Sequence, residues 1–285
     1  MSIISKLKEK LSYIENIPLV YNDGLRAAYS STSVCGSSLV GKTAVVTGAT
    51  GGIGYAISER LLNEGCRVII TGRDDTKLKE SITRLSNSCT GKVSYIKMDQ
   101  TDVDSLKNGV NLAFAESAID LWVNCAGIFK ETDRSRKFRG LSADNFFEIV
   151  NINLKSTVIL TRMVADLMSQ QDNESCQIIN IASICGLTNH YGYTPYGISK
   201  TGVIEYTRKL AEEYQGKVLI EGVAPGSVAT RMGTRHFGGD ISGSNSFTNH
   251  VAIPEETAAV VCFLAGPVGT YLNGKTVLAS AGERV

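Results

Sequence analysis

Short apolar runs alternate with longer amphipathic segments along most of this chain. The runs are TAVVT (43–47), RVIIT (67–71), VSYIKM (93–98), LWVNC (121–125), QIINIAS (177–183), KVLIEGVA (217–224) and KTVLAS (275–280). Their length and β-branched content predict strands. They are apolar almost throughout rather than every second residue, as strands covered on both faces should be. Between them lie segments of helical period, such as YAISERLLNEG, SLKNGVNLAFAES, SADNFFEIVNINLKSTVILTRMVADLM and YGISKTGVIEYTRKLAEEY. Strand alternating with helix predicts βαβ units, hence an α/β fold with a parallel sheet and helices on both of its faces. No linker or break in composition divides residues 41–285, which predicts a single domain. Residues 1–40 differ: Ile4, Leu7, Leu11 and Ile14 recur at helical spacing and the polar stretch YSSTSVCGSS follows. This predicts an amphipathic N-terminal arm ahead of the domain.

Composition narrows the function classes. The 285 residues are 43% hydrophobic and 20% charged with a net charge of +1, the balance of a globular protein with a filled core. Without a basic patch or an acidic tail, no nucleic-acid partner is expected. No apolar run is long enough to span a membrane. The N-terminus lacks a signal-peptide core and mixes its lysines with Glu9 and Glu15, so a cytoplasmic location is expected. The cysteines at 35, 66, 89, 125, 176, 185 and 262 are scattered and never spaced C-x-x-C, which reads as reduced thiols. His190, His236 and His250 have no ligand spacing, and no metal is expected.

The chemistry-bearing signals fall at the ends of the runs. TAVVTGATGGIGYAISERLL sets Gly48, Gly52 and Gly54 directly after the first strand and at the start of the first helix. Glycine permits positive φ, brings backbone N–H groups close to a pyrophosphate, and allows tight helix–sheet packing. The helix N-terminus then faces the phosphate charge. In that strand–turn–helix context the turn predicts dinucleotide binding. Further on, Tyr196 stands four residues before Lys200 in YGISK, on one helical face, and Ser183 closes the run QIINIAS.

The spacing G-x-x-x-G-x-G and the Tyr196/Lys200 pair together resemble the short-chain dehydrogenase/reductase family, over about residues 41–282. The resemblance implies a doubly wound Rossmann sheet, mostly parallel and seven-stranded, in an oxidoreductase that reduces a carbonyl or oxidises an alcohol. Similarity is nearest to 3-oxoacyl-thioester reductases. Sugar, polyol or steroid-like substrates are the alternatives, together with a cofactor-binding sensor without turnover. Family habit also implies a homodimer or homotetramer through the two long helices.

Residue by residue, the resemblance makes Ser183, Tyr196 and Lys200 the catalytic trio, with Asn153 of NINLKS as fourth member, holding a water that relays protons from Lys200. Hydride delivery to a carbonyl carbon builds negative charge on oxygen, so a proton donor is needed there. A nearby Lys⁺ favours the phenolate and draws the tyrosine hydroxyl below its free value of about 10. Lys200 also holds nicotinamide ribose hydroxyls, and the Ser183 hydroxyl stabilises the carbonyl oxygen. Tyr191 and Tyr193 read as pocket wall or packing. For the cofactor, the resemblance points to Gly48, Thr50, Gly52, Ile53 and Gly54, and to Asp99 at the adenine edge. Asn124, Ala126 and Gly127 of VNCAG come next, then Pro225, Gly226, Val228 and Thr230 of the P-G-x-x-x-T segment. In RVIITGRDD, Gly72 falls where an NAD enzyme of this fold carries an acidic residue, and Arg73 follows. A guanidinium pairs with a 2′-phosphate and the missing carboxylate removes repulsion, so NADP(H) is expected, although Gly51 fills the place of a basic residue that many NADP-using relatives carry. Residues 231–249 read equally as a lid over substrate or a surface loop. Glu221 and the C-terminal ASAG depart from the family pattern.

Overall fold

The computed structural model describes residues 38–130, 142–172, 176–187, 194–232 and 251–282. Seven strands form one sheet: β1 (Thr43–Thr47), β2 (Arg67–Gly72), β3 (Val93–Lys97), β4 (Leu121–Asn124), β5 (Cys176–Ile181), β6 (Val218–Pro225) and β7 (Thr276–Ala279). Their order is β3-β2-β1-β4-β5-β6-β7, and every pairing is parallel. Each expected run is a strand, with ends displaced by one or two residues at most. The chain builds outward from β1 to β3, then returns to start β4 on the other side of β1. Strand order therefore reverses between β1 and β4, and in open α/β sheets ligands bind beyond the carboxyl ends at such a point.

The apolar strands are split by their period of two. Ala44 and Val46 of β1, Val68 and Ile70 of β2, and Leu121 and Val123 of β4 face one layer. Val45, Ile69 and Trp122 face the other. Helices α1 (Gly52–Asn63), α2 (Asp75–Ser88) and α7 (Pro254–Ala265) cover the first face, through side chains such as Ile57, Leu61, Leu78 and Val261. Helices α3 (Val103–Glu116), α5 (Ser156–Met168) and α6 (Thr194–Glu213) cover the second, through Leu106, Val110, Leu160, Val164 and Leu210. Leu39 is already part of the core, ahead of the first strand.

The periodic segment over 142–168 is helical, as its spacing predicts, but interrupted. It is α4 (Ala143–Val150) and α5, joined by a π-helical turn at Asn151–Lys155. Hydroxyls crowd the carbonyls here: Ser156 donates to the Ile152 carbonyl at 2.6 Å, Thr157 to that of Asn153 at 2.9 Å and Thr161 to that of Thr157 at 2.7 Å. Such back-bonding bends helices, and single π turns recur at functional positions. The apolar positions of the arm, Tyr191, Tyr193, the three histidines and most of the expected lid lie outside the described residues. No helix among the described residues is long and apolar enough to cross a membrane.

Candidate active site

The turn between β1 and α1 is built for close approach. Gly48 adopts φ +68°, and a Cβ there would stand 2.7 Å from the Cα of Ala126. Gly54 lets α1 pack down on the turn, since a Cβ would meet the Gly48 carbonyl oxygen at 2.5 Å. The first N–H groups of α1 receive no side-chain cap and its first turn holds no acidic residue. Three other helices do carry such a cap: Asp74 caps α2, Asp102 caps α3 and Ser142 caps α4. The α1 N-terminus thus keeps its donors and its partial positive charge for an anion. Gly48, Thr50, Gly52, Ile53 and Gly54 all border one cleft of about 740 Å³. A smaller cavity of about 350 Å³ beside α3 and α4 holds none of the candidate residues.

The same cleft is bordered by Ser183, Tyr196 and Lys200. Ser183 lies two residues beyond β5, where its Oγ accepts from the Cys185 N–H at 3.2 Å and caps a short 3₁₀ turn at Ile184–Gly186. Tyr196 and Lys200 lie in the first two turns of α6. The Lys200 Nζ stands 5.7 Å from the centre of the Tyr196 ring, and Phe129 packs edge-on to that ring at 5.4 Å. Lys200 is 5% exposed and donates to the Ile181 carbonyl at 2.8 Å. Burial pulls its ammonium down to about 8, while the neighbouring Cys125 and Cys185 pull the other way.

Asn153 is fully buried in the π-helical turn and outside the cleft lining. Its Oδ1 accepts from the Ile128 N–H at 2.8 Å; its Nδ2 donates to the Ile128 carbonyl at 2.9 Å and to Ser199 Oγ at 3.2 Å. A Cβ on Gly127 would sit 3.2 Å from Asn153 Oδ1 and 3.7 Å from Lys200 Nζ. The bare Gly127 backbone is what lets those two groups draw close. Asn124 also lies outside the lining. Trp122 Nε1 donates to its Oδ1 at 2.8 Å, and its Nδ2 donates to Thr161 Oγ1 and Asn180 Oδ1 at 3.0 and 2.8 Å. It ties β4 to β5 and α5, and its side chain is committed there rather than to the cleft.

Ala126 and Gly127 border the cleft between the glycine turn and Lys200, and Arg73 and Asp99 also line it. Asp99 does not cap a helix; its Oδ1 accepts from the N–H and hydroxyl of Thr101 at 2.9 and 2.8 Å. Those bonds hold its carboxyl below the usual range, led by the backbone one. Gly72 packs against Thr50, whose methyl would be 3.1 Å from a Cβ at that position. On the near side Pro225, Gly226, Val228 and Thr230 complete the wall. The Thr230 methyl closes onto the glycine turn, 3.3 Å from where a Gly52 Cβ would be. Val228 is fixed by a bridge to Ala252. Among the described residues no group of three or more His, Cys, Asp or Glu is placed to hold a metal.

A family profile described as short chain dehydrogenase matches residues 42–238, more than half of the chain. The chain belongs to the short-chain dehydrogenase/reductase family. It is 32% identical over 255 residues to a 3-oxoacyl-acyl-carrier-protein reductase from Aquifex aeolicus, covering 86% of this chain and 98% of that protein. It is also 30% identical over 246 residues to a 7α-hydroxysteroid dehydrogenase from Bacteroides fragilis, covering 85% and 93% of the two chains. Among solved structures, the NADP complex of Pseudomonas aeruginosa RhlG superposes with a TM-score of 0.79 at 27% identity, covering 87% of this chain and 98% of that one. As a short-chain dehydrogenase/reductase the protein is an oxidoreductase on this doubly wound sheet.

Sequence reasoning missed three features of the short-chain dehydrogenase/reductase site. The Ile181 and Ile128 backbones that hold Lys200 and Asn153 are partners no side-chain motif reveals. Cys125 and Cys185 both reach the cleft. So do Lys77 and Arg84 of α2, whose i, i+7 spacing was the available signal.

Proposed function

We propose that this chain is an NADP(H)-dependent ketoreductase that reduces a 3-oxoacyl thioester or similar ketone, with Tyr196 as proton donor. The observation that carries the reading is that Ser183, Tyr196 and Lys200 border the same cleft as the glycine turn and the uncapped α1 N-terminus. The cofactor fits this cleft on two grounds: the Gly48 and Gly54 cradle, which any Cβ would fill, and the donors left open on α1. The pyrophosphate would be held there, the adenine edge by Asp99, and the ribose by Lys200. Pro225, Gly226 and Thr230 would border the nicotinamide. When bound, the cofactor supplies the hydride.

The protein's part is to receive charge on the carbonyl oxygen. The Tyr196 hydroxyl gives its proton there. The Ser183 Oγ accepts from the Cys185 N–H, which leaves its own O–H to donate to the same oxygen. Lys200, held by the Ile181 carbonyl, favours the phenolate that Tyr196 leaves behind. With both Nδ2 protons committed to Ile128 and Ser199, Asn153 acts as a positioning residue: it fixes the turn through Gly127 that lies against Lys200.

NADP(H) is favoured over NAD(H) by charge. No carboxylate stands at Gly72, and the exposed Arg73 borders the cleft beside it. The NADP complex of RhlG supports the same choice. The 3-oxoacyl assignment is supported by the Aquifex relative and the steroid alternative by the Bacteroides one. A homodimer or homotetramer is part of the proposal, supported by the exposed Phe263, Val268, Tyr271 and Leu278 along α7 and the β7 edge.

The test is NADPH oxidation with 3-oxoacyl thioesters and steroid ketones in parallel. Tyr196→Phe should lower kcat by about 10²–10⁴-fold, the span of a positioned acid, with NADPH affinity unchanged. Full turnover in that variant would sink the mechanism, and turnover of steroid ketones alone would replace the substrate class.

A further inference from the structure

The adenosine end of the cleft holds more positive charge than the proposed function has used. Lys77, Glu80, Ser81 and Arg84 of α2 border it together, a stripe at i, i+3, i+4 and i+7. Lys77 is taken up by Asp74 at 3.7 Å. Arg84 is exposed yet held. Its guanidinium carbon stands 4.4 Å from the centre of the Tyr55 ring, and Tyr55, 8% exposed, is fixed in the first turn of α1 directly after the glycine turn. Above that turn the space is open, since a Cβ on Gly51 would meet nothing within 4 Å. A cation stacked on a ring beside open space, on the lining of a cleft, is placed to receive an anion.

We propose that Arg84, carried on Tyr55, is the second arm of an anion subsite whose first arm is Arg73. Together they clamp the phosphate monoester on the adenosine ribose, which makes Arg84 a specificity-determining residue for NADP(H) over NAD(H). The inference rests on the NADP(H) reading above and deepens it. A phosphate monoester carries close to two negative charges and accepts along several directions, which suits two guanidinium forks better than one. Glu80, on the same stripe, opposes an anion, so a single arginine leaves little net attraction there. The Tyr55 ring fixes the plane of the Arg84 guanidinium, and a preorganised donor loses less freedom on binding.

The experiment titrates adenosine 2′,5′-bisphosphate and 5′-AMP into the full-length protein by calorimetry, for the native chain, Arg73→Ala, Arg84→Ala and Arg84→Lys. Arg84→Ala should weaken the bisphosphate by about tenfold or more, the loss of a charge-assisted bond, and leave 5′-AMP within about twofold. Arg84→Lys, which keeps the charge and loses the fork, should fall between. Equal losses for both nucleotides, or no loss for either, overturn the inference. If Arg73→Ala abolishes the discrimination while Arg84→Ala does not, the NADP(H) reading stands and the second arm falls. A native protein that binds both nucleotides equally overturns the NADP(H) reading and the inference with it.

Discussion

Glu221 offers a direct test of how burial governs charge in this fold. It sits in β6, fully buried. Its Oε2 accepts from Gln177 Nε2 at 2.5 Å, and Gln177 also donates to the Leu264 carbonyl at 2.8 Å. Its Oε1 has no partner among the described residues and faces Gly269, where a Cβ would be 3.0 Å away. Burial pushes the carboxyl up to about 8 from an ordinary 4.5, against the lowering effect of the Gln177 bond. The folded chain therefore keeps a proton that the unfolded chain releases. Its contribution to stability is fully present below about pH 4.5 and is lost as pH rises through about 8. At about 1.4 kcal/mol per unit, the loss is under about 1 kcal/mol at pH 5, about 3 at pH 7 and about 5 at pH 9. Glu221→Gln keeps the shape and the acceptor for Gln177 but cannot ionise. Urea unfolding of both proteins at those three pH values, at one protein concentration, reads the difference from the midpoints. The variant should be close to the native chain at pH 5 and progressively more stable at 7 and 9. A gap that stays constant with pH, or a variant less stable at pH 9, would refute the reasoning.

Lys200 is the mirror case. Its folded value of about 8 lies below the ordinary 10.5, so the cost of burying its charge is full below pH 8 and gone above pH 10.5. Lys200→Met should abolish turnover, and its stability relative to the native cofactor-free protein should be about 3 kcal/mol more favourable at pH 7 than at pH 11, whatever offset the lost bond to the Ile181 carbonyl adds at every pH. A difference in urea midpoints that does not change with pH would argue against it. Gly54→Ala forces a Cβ to 2.5 Å from the Gly48 carbonyl oxygen; overpacking of this kind costs about 1–3 kcal/mol. Dinucleotide affinity, read by fluorescence titration, should drop by about tenfold or more as the turn is displaced. Gly72→Asp restores a carboxylate near the ribose, and the NADPH to NADH ratio of kcat/KM should fall by about tenfold or more; an unchanged ratio would contradict the charge argument.

The fold was legible because its signals are local. Strands such as TAVVT and RVIIT lie inside the sheet, covered on both faces, and so read as unbroken apolar runs. A turn that must combine positive φ at Gly48 with a backbone contact at Gly54 leaves glycine as its only economical solution, and that too shows in sequence. The π-helical turn did not show. Asn151–Lys155 keeps the same apolar period as the helices it joins, and what marks it is a set of hydroxyl-to-carbonyl bonds four residues apart, which any helix with serine and threonine can also make.

In the site the division follows sequence distance. Tyr196 and Lys200 share a helical face, so four residues of spacing were enough to pair them. Asn124 and Asn153 look alike in sequence, as single amides near the ends of elements, yet their partners decide their parts. Asn124 bonds Thr161 and Asn180, 37 and 56 positions away, and serves the sheet. Asn153 bonds Ile128 and Ser199, 25 and 46 positions away, and serves the turn beside Lys200. Arg84 is the extreme case: the part proposed for it rests on a ring on a different helix and on the open space at Gly51, neither of which a motif records. A cleft assembled at the carboxyl edge of seven strands draws its walls from every part of the chain. Its backbone cradle and the Gly72–Arg73 pair are therefore readable from single segments, whereas the further charges on its lining, Lys77, Glu80 and Arg84, come together with them only once the strands are in order.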